Sequence, residues 1–329
     1  MTFQTVPLPL FPEPEDGGVD EELENVRAEL VRLDPEGQRF AAVLRETIDQ
    51  LLNGERTGRY DWKQLFKTEK THAGTMVEIN LQREFEFGDG KAMDYEIAGV
   101  EVDCKYSQLF GGWMIPPEAM GHLCLVVWAD DYRSKWSAGL VRIRPEILNG
   151  GGNRDLKLTI QAAHRNRIAW LWKDAALPEN VLLHLDSATR SQVLIPGRRQ
   201  GQKRVNQLFR LVLGRRIGRG VVRTAAQQVD YMARVREGDK GRARPKLREE
   251  GIIVLGDYPV HQAIAAALGG PVPGEGEFVS HRVVRALPSH GERPSAEIEG
   301  GFWVVAGPGE WEHDRGPAPR LPDPQANRG

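Results

Sequence analysis

The stretch Asp94 to Lys105, DYEIAGVEVDCK, constrains this chain more than any other, because a strand satisfies its alternation and a helix does not. Side chains alternate between the two faces of a strand. Glu101, Asp103 and Lys105 therefore share one face, and Val100, Val102, Cys104 and Tyr106 the other. The second face reads as core, which holds the charged face rigid and turned outward. Gly99 fits a turn or bulge that folds the Asp94 strand back toward Asp103. The expectation is a β-hairpin that brings two aspartates and a lysine together.

That grouping suits a divalent metal beside a phosphodiester. Hydrolysis needs a cation that neutralises the phosphate and lowers the pKa of the attacking water. Mg²⁺ takes oxygen ligands and usually only one or two carboxylates, with water and substrate phosphate completing its shell. Asp94 and Asp103 supply that minimum, and Lys105 can stabilise developing charge or help position the water. Standing alone, an Asp-x-Lys pattern is more often an ordinary exposed strand face. Upstream, His72 to Phe87 predicts a helix with Met76, Val77, Leu81 and Phe85 as its apolar stripe and Glu78 flanking it. A carboxylate there needs a partner or a metal, since burial without one is costly. Glu78 by itself reads slightly better as a surface partner on a charged helix.

A chain of 329 residues has room for two domains. Its 40% apolar and 27% charged content is that of a soluble globular protein. The longest apolar run, Leu123 to Ala129, is far too short to span a bilayer. The N-terminal residues lack the basic and apolar regions of a signal peptide. Cys104 and Cys124 make neither a disulfide framework nor a zinc site. A cytoplasmic protein without membrane attachment is expected. The net charge of −2 hides an asymmetry. Glu13 to Glu36 carries ten acids against two arginines, whereas Arg198 to Arg248 carries sixteen Lys and Arg against three acids. One strongly basic region in a balanced chain is the footprint of a nucleic-acid reader. The plainer alternative is a solvated pair of helices with arginines outward, but unpaired like charges repel one another without a polyanion.

Residues 1–18 are rich in Pro, Glu and Gly and are expected to be disordered. Helices are expected at Glu21 to Leu33 and Gln38 to Leu52, strands at His122 to Ala129 and Ser137 to Arg144, and a closing helix at Ile160 to Trp172. These make a mixed α/β domain over 19–175. Lys173 to Asn180 is the expected linker to a second domain, 176–306, and 307–329 reads as a tail. In the second domain Val181 to Leu185 reads as a strand, Ser187 to Leu194 as a short helix, and Val205 to Leu213 as amphipathic helix. Arg216 to Arg236 reads as largely helical, with Ile217, Val221, Ala225, Val229, Met232 and Val235 as core. A third basic element, Lys240 to Arg248, precedes a strand at Ile252 to Leu255. Three helices followed by a strand is the order of a winged helix-turn-helix of the catabolite-activator type. Its recognition helix is either the half after Gln227-Gln228 or the Lys240 to Arg248 element, the latter preferred because the strand follows directly. The chain has no G-x-x-x-x-G-K-[ST] loop, no GxSxG elbow and no His/Cys cluster with metal spacing.

Several blocks together resemble the NaeI-type type II restriction endonucleases, of the PD-(D/E)XK nuclease superfamily. They are the run from Lys67 to Phe85, the Phe87-Gly-Asp-Gly90 turn, Asp94 to Lys105, Gly121 to Trp128, Asn153 to Leu156, Arg204 to Phe209 and Glu250 to Gly256. The resemblance spans all but the N-terminal extension and the C-terminal tail. It implies a restriction-endonuclease-like N-terminal domain, a mixed sheet flanked by helices, and a C-terminal winged helix-turn-helix domain. It also implies a Mg²⁺-dependent homodimer that binds two copies of a palindromic, GC-rich double-stranded DNA site, one cleaved and one acting as effector. Glu78, Asp94, Asp103 and Lys105 match the superfamily's acidic and lysine positions, with Asp94, Asp103 and Glu78 as metal ligands. Met93 stands where a proline would complete the name motif. A faint likeness to the K-x-D-G motif of DNA ligases falls on Leu51-Leu-Asn-Gly54, which lacks both the lysine and the aspartate, so lysine-adenylate chemistry has no residue here.

The expected function is effector-dependent cleavage of double-stranded DNA, with Arg215, Arg216, Arg219, Arg223, Gln227 and Gln228 as candidates for binding the second duplex. The competing reading is a sequence-specific DNA-binding regulator whose nuclease-like domain is catalytically silent.

Overall fold

The structure is a computed structural model and describes residues 19–151, 155–238 and 241–322. The region expected to be disordered, 1–18, and part of the Asn153 to Leu156 block lie outside them. Among the described residues no helix is long and apolar enough to cross a membrane. The chain divides into two compact units, Met1–Thr47 with Lys67–Leu177, and Ile48–Phe66 with Pro178–Gly329. The division at Leu177/Pro178 falls two residues beyond the expected boundary. The segment 48–66, expected in the first domain, clusters with the second unit.

Along the chain, α1 (Glu21–Leu33) starts at Asp20, whose side chain accepts from the Leu23 N–H and also holds the Arg142 guanidinium at 2.7 Å. In α2 (Gln38–Leu52) the first turn is capped by Asp34, which accepts from the Phe40 N–H. The one-turn α3 (Gly54–Thr57) follows. Next, α4 (Lys67–Phe85) buries Ala73, Val77, Leu81 and Phe85, a stripe at strict i+4 spacing, with Met76 only half-buried at its side.

The first unit is built on a six-stranded sheet in sequential order: β1 (Gly88–Asp89), β2 (Tyr95–Ile97), β3 (Val100–Ser107), β4 (Leu123–Asp130), β5 (Lys135–Arg142) and β6 (Ala169–Ala176). All neighbours are antiparallel except β3 and β4. One face carries Phe40, which lies against Phe85, Trp136 and Trp172, with Phe87 and Tyr95 continuing the row. The other carries a core of Met93, Trp113, Ile115, Cys124, Val126, Trp128 and Val141. A central parallel pair buried on both faces explains why Leu123 to Ala129 is apolar without alternation.

It also corrects one expectation. The charged face of β3 does not look outward. The crossover after β3 returns Trp113 and Ile115 over it, and Asp103 is only 4% exposed. A second correction concerns Ile160 to Trp172, which is not a helix. It forms a short 3₁₀ stretch, Ala162–Arg167, and then β6. The register slips between Ala138 and Gly139, opposite Trp172 and Trp170. This bulge sends Trp172 to the Phe40 side and Trp170 to the Phe110 and Trp113 side, which destroys the strand period and leaves apolar spacings that mimic a helix.

In the second unit, α5 (Ser187–Val193), α6 (Gly201–Leu211), β7 (Arg216–Gly218), α7 (Arg219–Ala226), α8 (Ala243–Arg248) and β8 (Ile252–Leu255) are followed by α9 (Pro259–Ala267), β9 (Glu277–Arg285), β10 (Ser295–Ile298), β11 (Gly301–Val305) and α10 (Glu310–Asp314). Strand β9 is central: β7 and β11 pair along one edge and β8 along the other, with β10 outermost beyond β11. Helices α6, α7 and α8 pack Val205, Leu208, Phe209, Val221, Val222, Ala225 and Leu247 into one core.

Three further expectations fail here. Val181 to Leu185 is not a strand but begins as a 3₁₀ turn, Val181–Leu183, where the buried Asn180 side chain donates to the Tyr60 carbonyl. The stretch 216–236 is broken into β7, α7 and a 3₁₀ turn, so Val229 falls in the connecting turn and is 69% exposed. The C-terminal stretch is not a free tail as far as it is described. Ala318 and Leu321 are buried in a core with Ile253, Leu255, Ile264 and Trp303.

Candidate active site

The turn between β2 and β3 consists of Ala98 (φ 51°) and Gly99 (φ 77°), both left-handed, as a two-residue hairpin turn demands. It sets Tyr95 opposite Val102 and leaves Asp94 just outside the strand, beside Cys104 and Lys105. The Cys104 backbone N–H donates to Asp94 Oδ2 at 2.7 Å, and Lys105 Nζ reaches the same oxygen at 3.3 Å. Lys105 Nζ also lies 2.6 Å from Asp103 Oδ1 and 2.9 Å from the Cys104 carbonyl oxygen. One ammonium is thus shared by two carboxylates from the two arms of the hairpin. Across the parallel pair, the buried Cys124 thiol faces the other Asp103 oxygen at 3.6 Å.

The third acid comes from α4. The Tyr95 hydroxyl donates to the Glu78 carbonyl oxygen at 2.8 Å, tying the helix to the hairpin at this residue. Burial raises the Glu78 pKa, and repulsion from Asp94 adds to it, while Lys105 acts in the opposite sense. Burial likewise pushes Asp103 up to about 6 despite the adjacent ammonium. At Lys105, burial disfavours the charge, yet the carboxylates of Asp103 and Asp94 outweigh it and hold the ammonium firmly protonated. Two carboxylates therefore flank one ammonium with a third in the same electrostatic field, an excess of negative charge that a further cation would neutralise. Among the described residues no three or more His, Cys, Asp or Glu side chains converge as a ready-made metal cage. The donors available are hard carboxylate oxygens, two of them already flanking a cation at Lys105, and that chemistry fits Mg²⁺, which needs few protein ligands.

Asp94, Asp103 and Lys105 are brought into contact, and Glu78 stands close enough to feel the charge of all three. A fifth, Glu101, shares the strand face with Asp103 but is committed elsewhere. Its carboxylate accepts from the backbone N–H groups of Lys91 (2.6 Å), Ala92 (2.8 Å) and Met93 (2.8 Å). Those bonds, the Lys91 one foremost, hold its pKa below the ordinary glutamate value. Only the strand alternation could have signalled it.

The candidate DNA-binding residues are spread along β7, α7 and the turn after it. Arg215 pairs with Glu179 at 2.7 Å, and the more exposed Arg216 lies 3.7 Å from Glu277. Arg219 opens α7, and Arg223 stacks over Tyr231 at 5.5 Å. Gln227 ends α7 in a left-handed conformation, and the Gln228 amide donates to the Asp230 carbonyl. The third basic element is α8, where Arg244 is buried and donates to the Val254 carbonyl, while Lys246 and Arg248 stay partly exposed.

The family model described as "Restriction endonuclease NaeI" matches residues 24–314. The chain belongs to the NaeI restriction endonuclease family. It is 52% identical over 309 residues to the "Type II restriction enzyme NaeI" of Lentzea aerocolonigenes, covering 92% of this chain and 95% of that relative. The match to the NaeI family runs through both compact units, so the hairpin site and the basic region belong to one family unit of sequence.

Proposed function

We propose that this member of the NaeI family is a Mg²⁺-dependent, type II site-specific deoxyribonuclease with a PD-(D/E)XK active site. The observation that carries the reading is the Lys105 ammonium shared by Asp94 and Asp103, with Glu78 in the same electrostatic field. Asp94 and Asp103 would hold the metal, with Glu78 a ligand directly or through water. When bound, Mg²⁺ supplies Lewis-acid neutralisation of the scissile phosphate and an acidified water. Lys105 then orients the attacking water and faces the charge that builds on the phosphate oxygens as one P–O ester bond breaks. The Cys104 N–H fixes Asp94, and the enclosed strand face keeps bulk water from Asp103.

For the second unit the proposal is a winged helix-turn-helix that binds a second, effector copy of a palindromic, GC-rich site, in a homodimer. The succession α6, β7, α7, α8, β8, β9, with β9 paired between β7 and β8, supports that reading, and the strand directly after α8 favours α8 as the recognition helix. Arg216, Arg219 and Arg223 would contact phosphate or guanine edges, and Gln227 and Gln228 have the amide chemistry to read adenine.

The test is plasmid cleavage in Mg²⁺ by the wild-type chain and by Asp103→Asn. Wild type is expected to cut at discrete sites, faster when a site-containing oligonucleotide is added, and Asp103→Asn to bind duplex without cutting. A wild-type protein that binds duplexes of varied sequence and never cuts would support the silent regulator instead.

A further inference from the structure

We propose that Glu101 is a positioning residue for Asp94, clamping the turn that delivers this aspartate to the site. The inference rests on the nuclease reading above and goes beyond it by separating two carboxylates that strand alternation makes equivalent. Glu101 and Asp103 lie two residues apart on one face of β3. Either could be taken for a metal ligand. Their surroundings differ: Asp103 is buried against Lys105 and Cys124, whereas both Glu101 oxygens are occupied by backbone donors.

Those donors are consecutive, Lys91, Ala92 and Met93, and the next residue is Asp94. The segment between β1 and β2 has no ladder of its own to satisfy these three N–H groups. One carboxylate satisfies all three, as an anion in a nest of successive amides does. The peptide preceding Asp94 is thereby fixed from β3, the same strand that carries Asp103 and Lys105. Asp94 is fixed again by its side chain, through the Cys104 N–H of that strand. Both carboxylates of the proposed metal pair are thus referenced to one rigid element, which is what placement to a fraction of an ångström needs. Met93 adds to the clamp twice. Its side chain is buried beside Trp113 and Cys124, and its N–H is the third donor. Proline at this position would fix φ but would carry no N–H, so the Glu101 bond here supplies rigidity that a ring would otherwise give.

The test uses the full chain, with Glu101→Ala and the near-isosteric Glu101→Gln. Mn²⁺ binding is measured by calorimetry without DNA, alongside thermal unfolding, single-turnover cleavage and duplex affinity. Loss of an outer partner of a metal ligand lowers metal affinity or rate by about 10- to 100-fold. Glu101→Ala is expected to lose Mn²⁺ affinity and cleavage rate in that range, with duplex affinity unchanged and part of the rate restored at high Mn²⁺. Glu101→Gln, which keeps one acceptor oxygen, is expected to fall between Ala and wild type. Wild-type Mn²⁺ affinity in both folded variants would overturn the positioning role and leave the nuclease reading standing. A loss of stability with unchanged metal affinity would also overturn it, leaving a merely structural carboxylate. A wild-type chain that neither binds Mn²⁺ nor cleaves DNA would overturn both.

Discussion

The charged residues of the two units are used in opposite ways. In the first, Asp94, Asp103 and Lys105 are concentrated in one half-buried place, and Glu78 feels the charge of all three. In the second, the described basic residues between Arg198 and Arg248 are dispersed, and some of them are internal scaffolding. Arg204 is 2% exposed and donates to the carbonyls of Ala225, Ile195 and Gly197, and Arg244 holds Val254. Counting charge in a sequence therefore measures different things in the two regions. In the acidic cluster the count understates the local field, because burial amplifies it. In the basic block the count overstates what a polyanion could touch.

The largest effect is expected from Lys105→Met. Losing one preorganised charge-stabilising donor costs about 10²- to 10³-fold in rate. The same change leaves Asp103 buried beside Asp94 without its cation, so the folded state should lose up to about 3 kcal/mol, discounted because Lys105 retains some solvent contact. Added Mg²⁺ should restore part of that stability, since a ligand bound only by the native state stabilises it. Thermal unfolding with and without Mg²⁺ reads both effects. A variant as stable as wild type and insensitive to Mg²⁺ would mean that the acidic cluster is not concentrated in the way described.

A smaller pair of effects tests the other half of the contrast. Arg244→Ala removes a buried donor and leaves the Val254 carbonyl unsatisfied, at about 1–3 kcal/mol of stability. Arg216→Ala touches an exposed side chain, so stability should change by less than about 0.5 kcal/mol. If Arg216 meets phosphate, its loss should weaken duplex binding across sequences and reduce the salt slope by about 1. Urea unfolding and salt-dependent binding of the two variants should therefore separate. Matching losses of stability would erase the distinction between scaffolding and contact arginines.

How much of this could be read beforehand follows the same division. The hairpin, α1, α2 and β8 were legible because each has one clean period and clear ends: Asp20 before α1, Ala98-Gly99 in the turn. The β6 region was not, because the bulge opposite Ala138 and Gly139 sends its two tryptophans to different cores. Glu78, Asp94, Asp103 and Lys105 were singled out from alternation and resemblance, and their proximity follows from the hairpin and from the α4 contact at Tyr95. Glu101 was not, because nothing local distinguishes a carboxylate that will meet three amides from one that will meet a cation. The burial of Ala318 and Leu321 was hidden by Pro- and Gly-rich surroundings, and only the tertiary core that receives them reveals it.

The last pair of effects is steric and comes from two glycines inside helices. Gly74 lies in α4, one turn before Glu78, and a Cβ there would meet nothing within 4 Å. Gly220 lies in the first turn of α7, where a Cβ would run into the Asp49 carboxylate. An open helix-interior glycine is worth about 1 kcal/mol less than alanine, so Gly74→Ala should raise the unfolding free energy by about that much, read as a higher urea midpoint. At Gly220 the new Cβ forces the Asp49 carboxylate aside, and alanine should lower stability by about 1 kcal/mol, the low end of an overpacking cost. The helix that carries Glu78 thus has unused space on the turn beside it, while α7 starts against the Asp49 carboxylate. Urea midpoints shifting in the same direction for both variants would show that the two helices do not differ in this way. If Gly74→Ala is more stable but needs more DNA to reach half its maximal rate, the open space beside Glu78 is where the duplex passes.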